Sequence, residues 1–295
     1  MKLSGNGFVL CGMLWMVTWA SAATPETPKL EQPIGKLGWN TDYATAYRQA
    51  QAEKKQLLLF FNDGKNPSVQ FEQKVLTDAE LAPVLKKFVR VMLPMDAKSP
   101  ADWDKDNAGK ALLDVPAFVE MEHLPGIAII DLVDKNDSYY GRVVSAHTLT
   151  EAEWIPVPLC KLILELPRGS ITQRAITYVV RTHPSQPQSA WGNAHPFLMH
   201  QAHHHSHLMV QYGGVGHHDW GTRSAEVGAQ LGSSPQEVAA SAGSERVLPA
   251  AREAVNMWSG SGVHWGMVSS PQGHFGYDMV RSPYGGWFAT GIFVY

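Results

Sequence analysis

The stretch Ala254-Val255-Asn256-Met257-Trp258-Ser259-Gly260-Ser261-Gly262-Val263-His264 decides the fold expected for the C-terminal part of the chain. Its tryptophan, the serine three residues later and the histidine three residues after that can line one side of a helix that runs into a loop. The segments 273–280 and 287–295 that follow have the composition of strands. Between them, Ser282-Pro283-Tyr284-Gly285-Gly286 carries the proline and glycines of a hairpin loop. The sequence therefore predicts a helix followed by a terminal β-hairpin.

The W-x-x-S-x-x-H pattern of Trp258, Ser261 and His264 resembles a segment found in bacterial members of the CAP superfamily. That fold is shared by cysteine-rich secretory proteins, antigen 5 and plant pathogenesis-related proteins. In the family, a glycine-containing strand and a closing strand with an aromatic ending come next. Here Phe275-Gly276-Tyr277-Asp278 fits the first of these loosely, with Asp278 where a glycine is usual. The resemblance implies a CAP-like α/β/α sandwich over residues 167–295, which includes a connecting helix.

The same resemblance implies a metal site made of His217, Glu226 and His264. The family places a histidine after its second helix, a glutamate some residues on, and a second histidine after W-x-x-S. These side chains converge in a cleft that can hold zinc or another divalent metal, for which imidazole and carboxylate are suitable ligands. Ser261 replaces the second glutamate of animal members, which leaves three protein ligands. A hydrogen-bonded polar core that only orders the loops is the alternative interpretation.

The N-terminus has the features of a secretory signal peptide over residues 1–22. Lys2 is followed by an apolar run from Phe8 to Ala20 and by the cleavage signature Ala20-Ser21-Ala22. No other stretch approaches the roughly 20 apolar residues of a transmembrane anchor. The net charge of −3 provides no basic stripe for nucleic acid. We therefore expect an exported bacterial protein, secreted or periplasmic, with neither a transmembrane anchor nor a nucleic-acid partner.

Residues 23–38 form a proline-containing leader that we expect to be flexible, and residues 39–166 have the pattern of an α/β domain. A helix is predicted from Thr41-Asp42, and a capping box at Thr77-Asp78-Ala79-Glu80 predicts a second one. Strands are predicted at 57–61, 89–93, 126–132 and 139–144, and a closing helix at 159–166. Pro167-Arg168-Gly169-Ser170 marks the domain boundary, after which lysine disappears and histidine becomes frequent.

That order of elements resembles the thioredoxin fold. Phe71-Glu72-Gln73-Lys74-Val75-Leu76 matches the helix that follows the redox motif of exported thioredoxin-like proteins, and Leu124-Pro125-Gly126-Ile127 lies where they have their cis-proline. Lys65 and Ser68 occupy the positions of the two redox cysteines. Cys160 is alone in the mature chain, because Cys11 leaves with the signal peptide. Thiol–disulfide exchange needs two thiols, so the domain is expected to be redox-inactive.

Two further patterns in the sequence suggest a metal site and a catalytic pair. The run His200-Gln201-Ala202-His203-His204-His205-Ser206-His207 resembles a metal-binding tract, but no neighbouring carboxylate in the sequence completes it. Ser259 and Ser261 near His264 suggest a Ser–His pair, although no nucleophile motif accompanies them. The expected function is a binding protein with a His/Glu cleft for a lipid, peptide or cell-wall ligand. A metal-assisted hydrolase that uses the same cleft is the alternative, and enzymatic activity stays open.

Overall fold

The computed structural model describes residues 31–100 and 106–295. The predicted signal peptide, Cys11 and leader residues 23–30 lie outside the described residues. Within the described part of the chain, no helix is long and apolar enough to cross a membrane. Helices and strands alternate around two mixed sheets, which confirms the α/β class.

The first sheet is built from the N-terminal half of the chain. Its strands are β1 (Glu31–Ile34), β2 (Leu37–Asn40), β3 (Leu57–Asn62), β4 (Val89–Pro94), β5 (Gly126–Ile130) and β6 (Val143–Thr148). They lie in the order β1-β2-β4-β3-β5-β6, in which β4 runs parallel to β2 and β3, while β5 and β6 are antiparallel. The central strand β3 is buried from Leu57 to Phe61, as its continuous apolar run predicts.

The helices of this half are α1 (Tyr43–Glu53), α2 (Ser68–Phe71), α3 (Ala82–Leu85) and α4 (Val157–Leu164). A π-helical turn at Glu72–Leu76 extends α2, and 3₁₀ turns occur at Leu112–Asp114 and Pro116–Met121. The predicted start of α1 is confirmed, because the Asp42 side chain accepts a hydrogen bond from the Thr45 backbone N–H at 2.7 Å.

Several sequence expectations for this half differ from the structure. The capping box at Thr77–Glu80 does not form: Thr77 Oγ1 donates to the Gln73 carbonyl, and α3 begins only at Ala82. Residues 31–38, which the sequence assigns to the leader, form a hairpin whose Ile34 is buried in the core. The cis peptide bond of the described residues precedes Pro67 and not Pro125.

The second sheet belongs to the C-terminal half and has four strands. They are β7 (Asn193–Ala194), β8 (Gln236–Ala242), β9 (His274–Arg281) and β10 (Trp287–Val294). The order is β7-β9-β10-β8, with β9 and β10 forming the predicted terminal hairpin. The helices are α5 (Ile171–Thr182), α6 (Pro196–Tyr212), α7 (Trp220–Leu231), α8 (Val247–Ser259) and α9 (Gly262–Ser269), and a 3₁₀ turn lies at Ser189–Trp191.

Helix α6 lies directly against β9, and a glycine permits the approach. A Cβ atom on Gly276 would lie 2.2 Å from the backbone carbon of Leu198, a distance that no side chain can tolerate. The close packing brings the inner face of α6 onto the middle of β9. It therefore decides which α6 side chains meet the strand.

One apolar cluster joins the two halves of the molecule. It includes Phe60 and Ile129 of the first sheet and Phe275 and Tyr277 of the second. Helix α5, capped by a reciprocal Ser170–Gln173 capping box, contributes buried residues to the same cluster. The side chain of Arg174 on this helix is fully buried and donates to the carbonyls of residues 163, 166 and 167. The segment after residue 166 is thus tied into the core that both sheets share.

Candidate functional site

Two histidines from distant parts of the chain meet on the second half of the molecule. His217 lies in the turn between α6 and α7, and His264 is on the first turn of α9. Their ring centroids are 5.9 Å apart, with 57° between the ring planes. The His217 side chain is 44% exposed and His264 is half-buried, so solvent reaches both rings. The structure thus brings these two predicted site residues together.

The carboxylate beside this pair comes from β8. Glu237 is 1% exposed, and its Oε1 accepts a hydrogen bond from His217 Nδ1 at 2.9 Å. Arg223 on α7 donates hydrogen bonds from both terminal nitrogens to the same carboxylate. His205 on α6, also fully buried, places its Nδ1 3.3 Å from Glu237 Oε2 and 3.0 Å from Thr290 Oγ1. Glu237 is therefore the centre of a buried polar cluster beneath the histidine pair.

Arg223 is held in place from both sides. Its Nε and one terminal nitrogen donate to the His218 carbonyl at 3.0 and 2.8 Å, and its guanidinium lies 5.3 Å from the centre of the Trp220 ring. A planar guanidinium with all three of its nitrogens engaged fixes the carboxylate it binds bidentately. The orientation of Glu237, and through it of His217, is consequently set by the core.

The protonation states follow from this burial and pairing. Burial alone would raise the pKa of Glu237, but hydrogen bonds from His217 and Arg223 and the nearby positive charge bring it below its ordinary value. Burial lowers the pKa of His205 to about 4, although the Glu237 charge acts in the opposite direction. Burial, and then the His217 ring, lower the pKa of His264. The cluster therefore holds an ionised carboxylate and a neutral His205 near neutral pH.

The hydrogen bond to Glu237 also determines which nitrogen of His217 is available. A carboxylate accepts and does not donate, so His217 carries its proton on Nδ1 and has its lone pair on Nε2. A histidine oriented in this way by a carboxylate is a common arrangement of metal ligands and general bases. Nε2 of His217 and the ring of His264 are the groups that a ligand would meet.

The third predicted site residue, Glu226, is hydrogen-bonded to Gln201 and not to either histidine of the pair. It lies exposed on α7 and accepts a hydrogen bond from Gln201 Nε2 at 3.3 Å. Sequence reasoning did not identify Glu237. The available signal was a single charged residue, Glu237, directly before the small and apolar run Val238-Ala239-Ala240. Within residues 31–100 and 106–295, no group of three or more His, Cys, Asp or Glu side chains is arranged to hold a metal ion.

The two serines of the suggested Ser–His pair lie at the junction of α8 and α9. Ser259 Oγ donates to the Asn256 carbonyl at 2.8 Å at the end of α8, and Ser261 is the residue that precedes α9. In the first half, Ser68 Oγ lies within hydrogen-bond distance of two acceptors, Asp63 Oδ1 and the Lys65 carbonyl, so its single proton is satisfied locally. Cys160 is 1% exposed, and burial raises its pKa to about 12. A thiol of this kind is not a nucleophile near neutral pH.

Comparison of the chain with protein-family models, with curated proteins and with solved structures finds no match.

Proposed function

We propose that the protein is an exported, non-enzymatic binding protein whose ligand binds at the His217–His264 pair. In this proposal a thioredoxin-like domain without redox cysteines (39–166) precedes a CAP-like sandwich (167–295). The observation that carries it is the pair of solvent-reachable imidazoles, one of them oriented by the buried Glu237. A site whose ring is fixed by a buried carboxylate and is also reachable by solvent is suited to holding a ligand in one orientation.

The topology supports both parts of this description. The buried β3, followed by a helix and a late antiparallel β5–β6 pair, is what the thioredoxin-like reading expects. The second sheet, with α5 and α8 in the shared core and α6 packed against β9, agrees with a layered sandwich. The convergence of His217 and His264 is what the CAP resemblance implies for its two histidines.

The residues that flank the pair suggest an amphipathic ligand. Tyr212 and Val215 precede His217 and are 61% and 47% exposed, and Val263 beside His264 is 71% exposed. Large apolar side chains that stay exposed near a polar site favour a ligand with an apolar part. Among lipid, peptide and cell-wall ligands, we therefore propose a lipid or an apolar peptide.

A divalent metal such as zinc is part of the proposal as an optional component. The donor chemistry fits, since Nε2 of His217 and the His264 ring would supply two neutral imidazoles. Glu237 would stay in the outer position that orients His217, because Arg223 already occupies its oxygens. A ligand or water would complete the coordination.

Binding measurements on the mature chain test this function. We expect a fluorescent fatty acid or an apolar peptide to bind the wild type, and His264→Ala and His217→Ala to weaken binding at least tenfold. His123→Ala, an exposed histidine of the first half that contacts Asp114, is the matched control. Equal affinities of wild type, His217→Ala and His264→Ala for every probe that binds would refute the site.

A metal-assisted hydrolase is the second candidate, favoured by one specific observation. The His217–Glu237 hydrogen bond is the base–orienter half of a catalytic arrangement. In this candidate Nε2 of His217 would take a proton from water, so the His264 ring and not His217 would hold the metal. Turnover of ester or peptide substrates that stops after chelation and in His217→Ala would favour this candidate. Reversible binding without turnover favours the first.

A further inference from the structure

The histidine tract of α6 presents its rings on two faces of the helix. His200, His203, His204 and His207 are exposed, whereas Gln201, Ala202, His205 and Ser206 are buried. Residues 200, 203 and 207 follow one another at helical spacing, so they share a side of α6. The outer histidines are therefore separate from the Glu237 cluster, to which the tract contributes only His205.

A buried carboxylate on β9 lies behind one of these outer rings. Asp278 is 2% exposed, and its Oδ2 lies 3.1 Å from His203 Nδ1. Thr172 Oγ1 and the Met279 backbone N–H donate to Oδ1, and Gln173 Nε2 donates to Oδ2. Asp278 is thus fixed by neutral donors of α5 and its own strand. Its Oδ2 in turn contacts Nδ1 of His203 and orients that ring.

This contact decides the tautomer of His203. The ring donates from Nδ1 to Asp278, which leaves the lone pair on Nε2 directed away from the carboxylate. A carboxylate behind a histidine raises the ligand strength of the other nitrogen and fixes the ring for a metal ion. The carboxylate that the sequence tract lacks is therefore supplied by another element of the fold.

His200 lies one turn before His203, and both line the same cavity between the two halves. The cavity has a volume of about 920 Å³, and Asp278 forms part of its wall. Three arginines also line it: Arg168 is neutralised by Asp131 and Asp137, Arg281 lies over the Trp287 ring, and Arg142 is exposed. The remaining positions around an ion bound there would be open to water or to an anion.

We propose that His200 and His203, with Asp278 behind His203, form a binding site for a late divalent transition metal ion such as Cu²⁺ or Zn²⁺. Neutral imidazole is a preferred ligand of these ions, and Cu²⁺ binds nitrogen sites most tightly of the divalent first-row series. Two imidazoles are the protein's direct ligands, and Asp278 is the outer partner. This site is independent of the His217–His264 pair and does not rest on the function proposed for that pair.

The experiment uses Cu²⁺ and a parent variant that carries His217→Ala and His264→Ala, so that copper at the other pair does not contribute. Calorimetry gives the affinity, and electron paramagnetic resonance counts the nitrogens bound to Cu²⁺. The expected parent binds one Cu²⁺ through two imidazole nitrogens. His203→Ala and His200→Ala each remove one nitrogen and weaken binding at least tenfold, and Asp278→Asn weakens it about 10–100-fold.

Two controls make the outcome decisive. His123→Ala removes an exposed histidine that also has a carboxylate neighbour, Asp114, and should leave Cu²⁺ binding unchanged. His203→Ala changes an exposed ring and leaves the buried Asp278 in place, so it decides the question even where Asp278→Asn does not fold. Unchanged binding in both His203→Ala and His200→Ala overturns the proposal. Loss of the second nitrogen in His207→Ala instead of His200→Ala overturns the assignment of the pair to the cavity.

Discussion

Two buried carboxylates in the C-terminal sheet each hold the Nδ1 of a solvent-reachable histidine, yet their environments differ. Glu237 on β8 is compensated inside the core by the guanidinium of Arg223. Among the described residues, the donors to Asp278 on β9 are neutral apart from His203. A buried charge has to be balanced or hydrogen-bonded. At Glu237 the buried Arg223 balances the charge. At Asp278 the exposed His203 is one of the hydrogen-bond partners that stabilise the charge.

The pKa values express this difference. The hydrogen bond to Asp278 raises the pKa of His203, while burial acts in the opposite direction. Beside Glu237, burial instead lowers the pKa of the fully buried His205 to about 4. Burial is the largest cause at His205, whereas the hydrogen bond to the carboxylate is the largest cause at the more exposed His203.

The largest expected effect comes from breaking the internal pair. Arg223→Met leaves Glu237 buried without its cation, and we expect the free energy of unfolding to fall by about 3–5 kcal/mol. Urea denaturation measures it. The double variant Arg223→Met/Glu237→Gln removes both charges and should recover most of the loss. A fall of less than about 1 kcal/mol in the single variant would contradict the role assigned to the pair.

The second effect is an acid destabilisation carried by His205. Its pKa is 6.5 when unperturbed and about 4 in the folded protein, so the unfolded chain binds the proton more tightly. The stability it contributes is present above pH 6.5 and is lost as the pH falls from 6.5 towards 4, by up to about 3 kcal/mol. Unfolding curves across this range measure it.

The control for this prediction is His205→Gln, which has no titrating ring. In this variant the free energy of unfolding should fall less steeply between pH 6.5 and 4. His147 of the first half, whose pKa burial lowers to about 3, accounts for a remaining slope of the same sign. An identical pH dependence in the variant and the wild type would show that His205 does not titrate as its burial requires.

A smaller effect of opposite sign is expected at His203. Because its pKa is raised in the folded state, its contribution to stability is present below the ordinary histidine pKa and is lost as the pH rises through the folded value. The ring is 55% exposed, so solvent screens the interaction. NMR titration of the His203 ring should give a pKa above the ordinary histidine value, and Asp278→Asn should remove the shift. An unshifted pKa of His203 in the wild type would contradict the pairing.

The smallest expected effect is on redox activity, where we predict none. The thioredoxin-like resemblance would place Lys65 and Ser68 at the two cysteine positions, and Cys160 is buried with a pKa raised to about 12. An insulin-reduction assay should show only background turnover, for the wild type and for Cys160→Ser alike. A rate comparable to that of a dithiol thioredoxin would contradict the prediction. Burial of the thiol also argues against a Cys160-linked dimer.

Local patterns predicted much of the secondary structure. The apolar run of β3, the helix at α1 and the terminal β9–β10 hairpin are where the sequence placed them, because propensity and hydrophobic periodicity are local properties. The strand predicted at 139–144 instead begins at Val143, after a turn. The capping box at Thr77 failed because Thr77 Oγ1 found the Gln73 carbonyl in the preceding turn.

From the sequence by itself, the CAP resemblance marked His217 and His264 as candidates for one site, and the structure brings their rings together. The sequence also marked Asp278 as unusual, and it showed that α6 carries a row of histidines. Only the tertiary structure decided that Glu237 serves His217 and that Asp278 serves His203. Both contacts depend on how helices pack across strands far away in the chain, such as α6 against Gly276 of β9. These hydrogen bonds join residues 20 and 75 positions apart, and such long-range contacts produce no periodic pattern in the sequence from which they could be predicted.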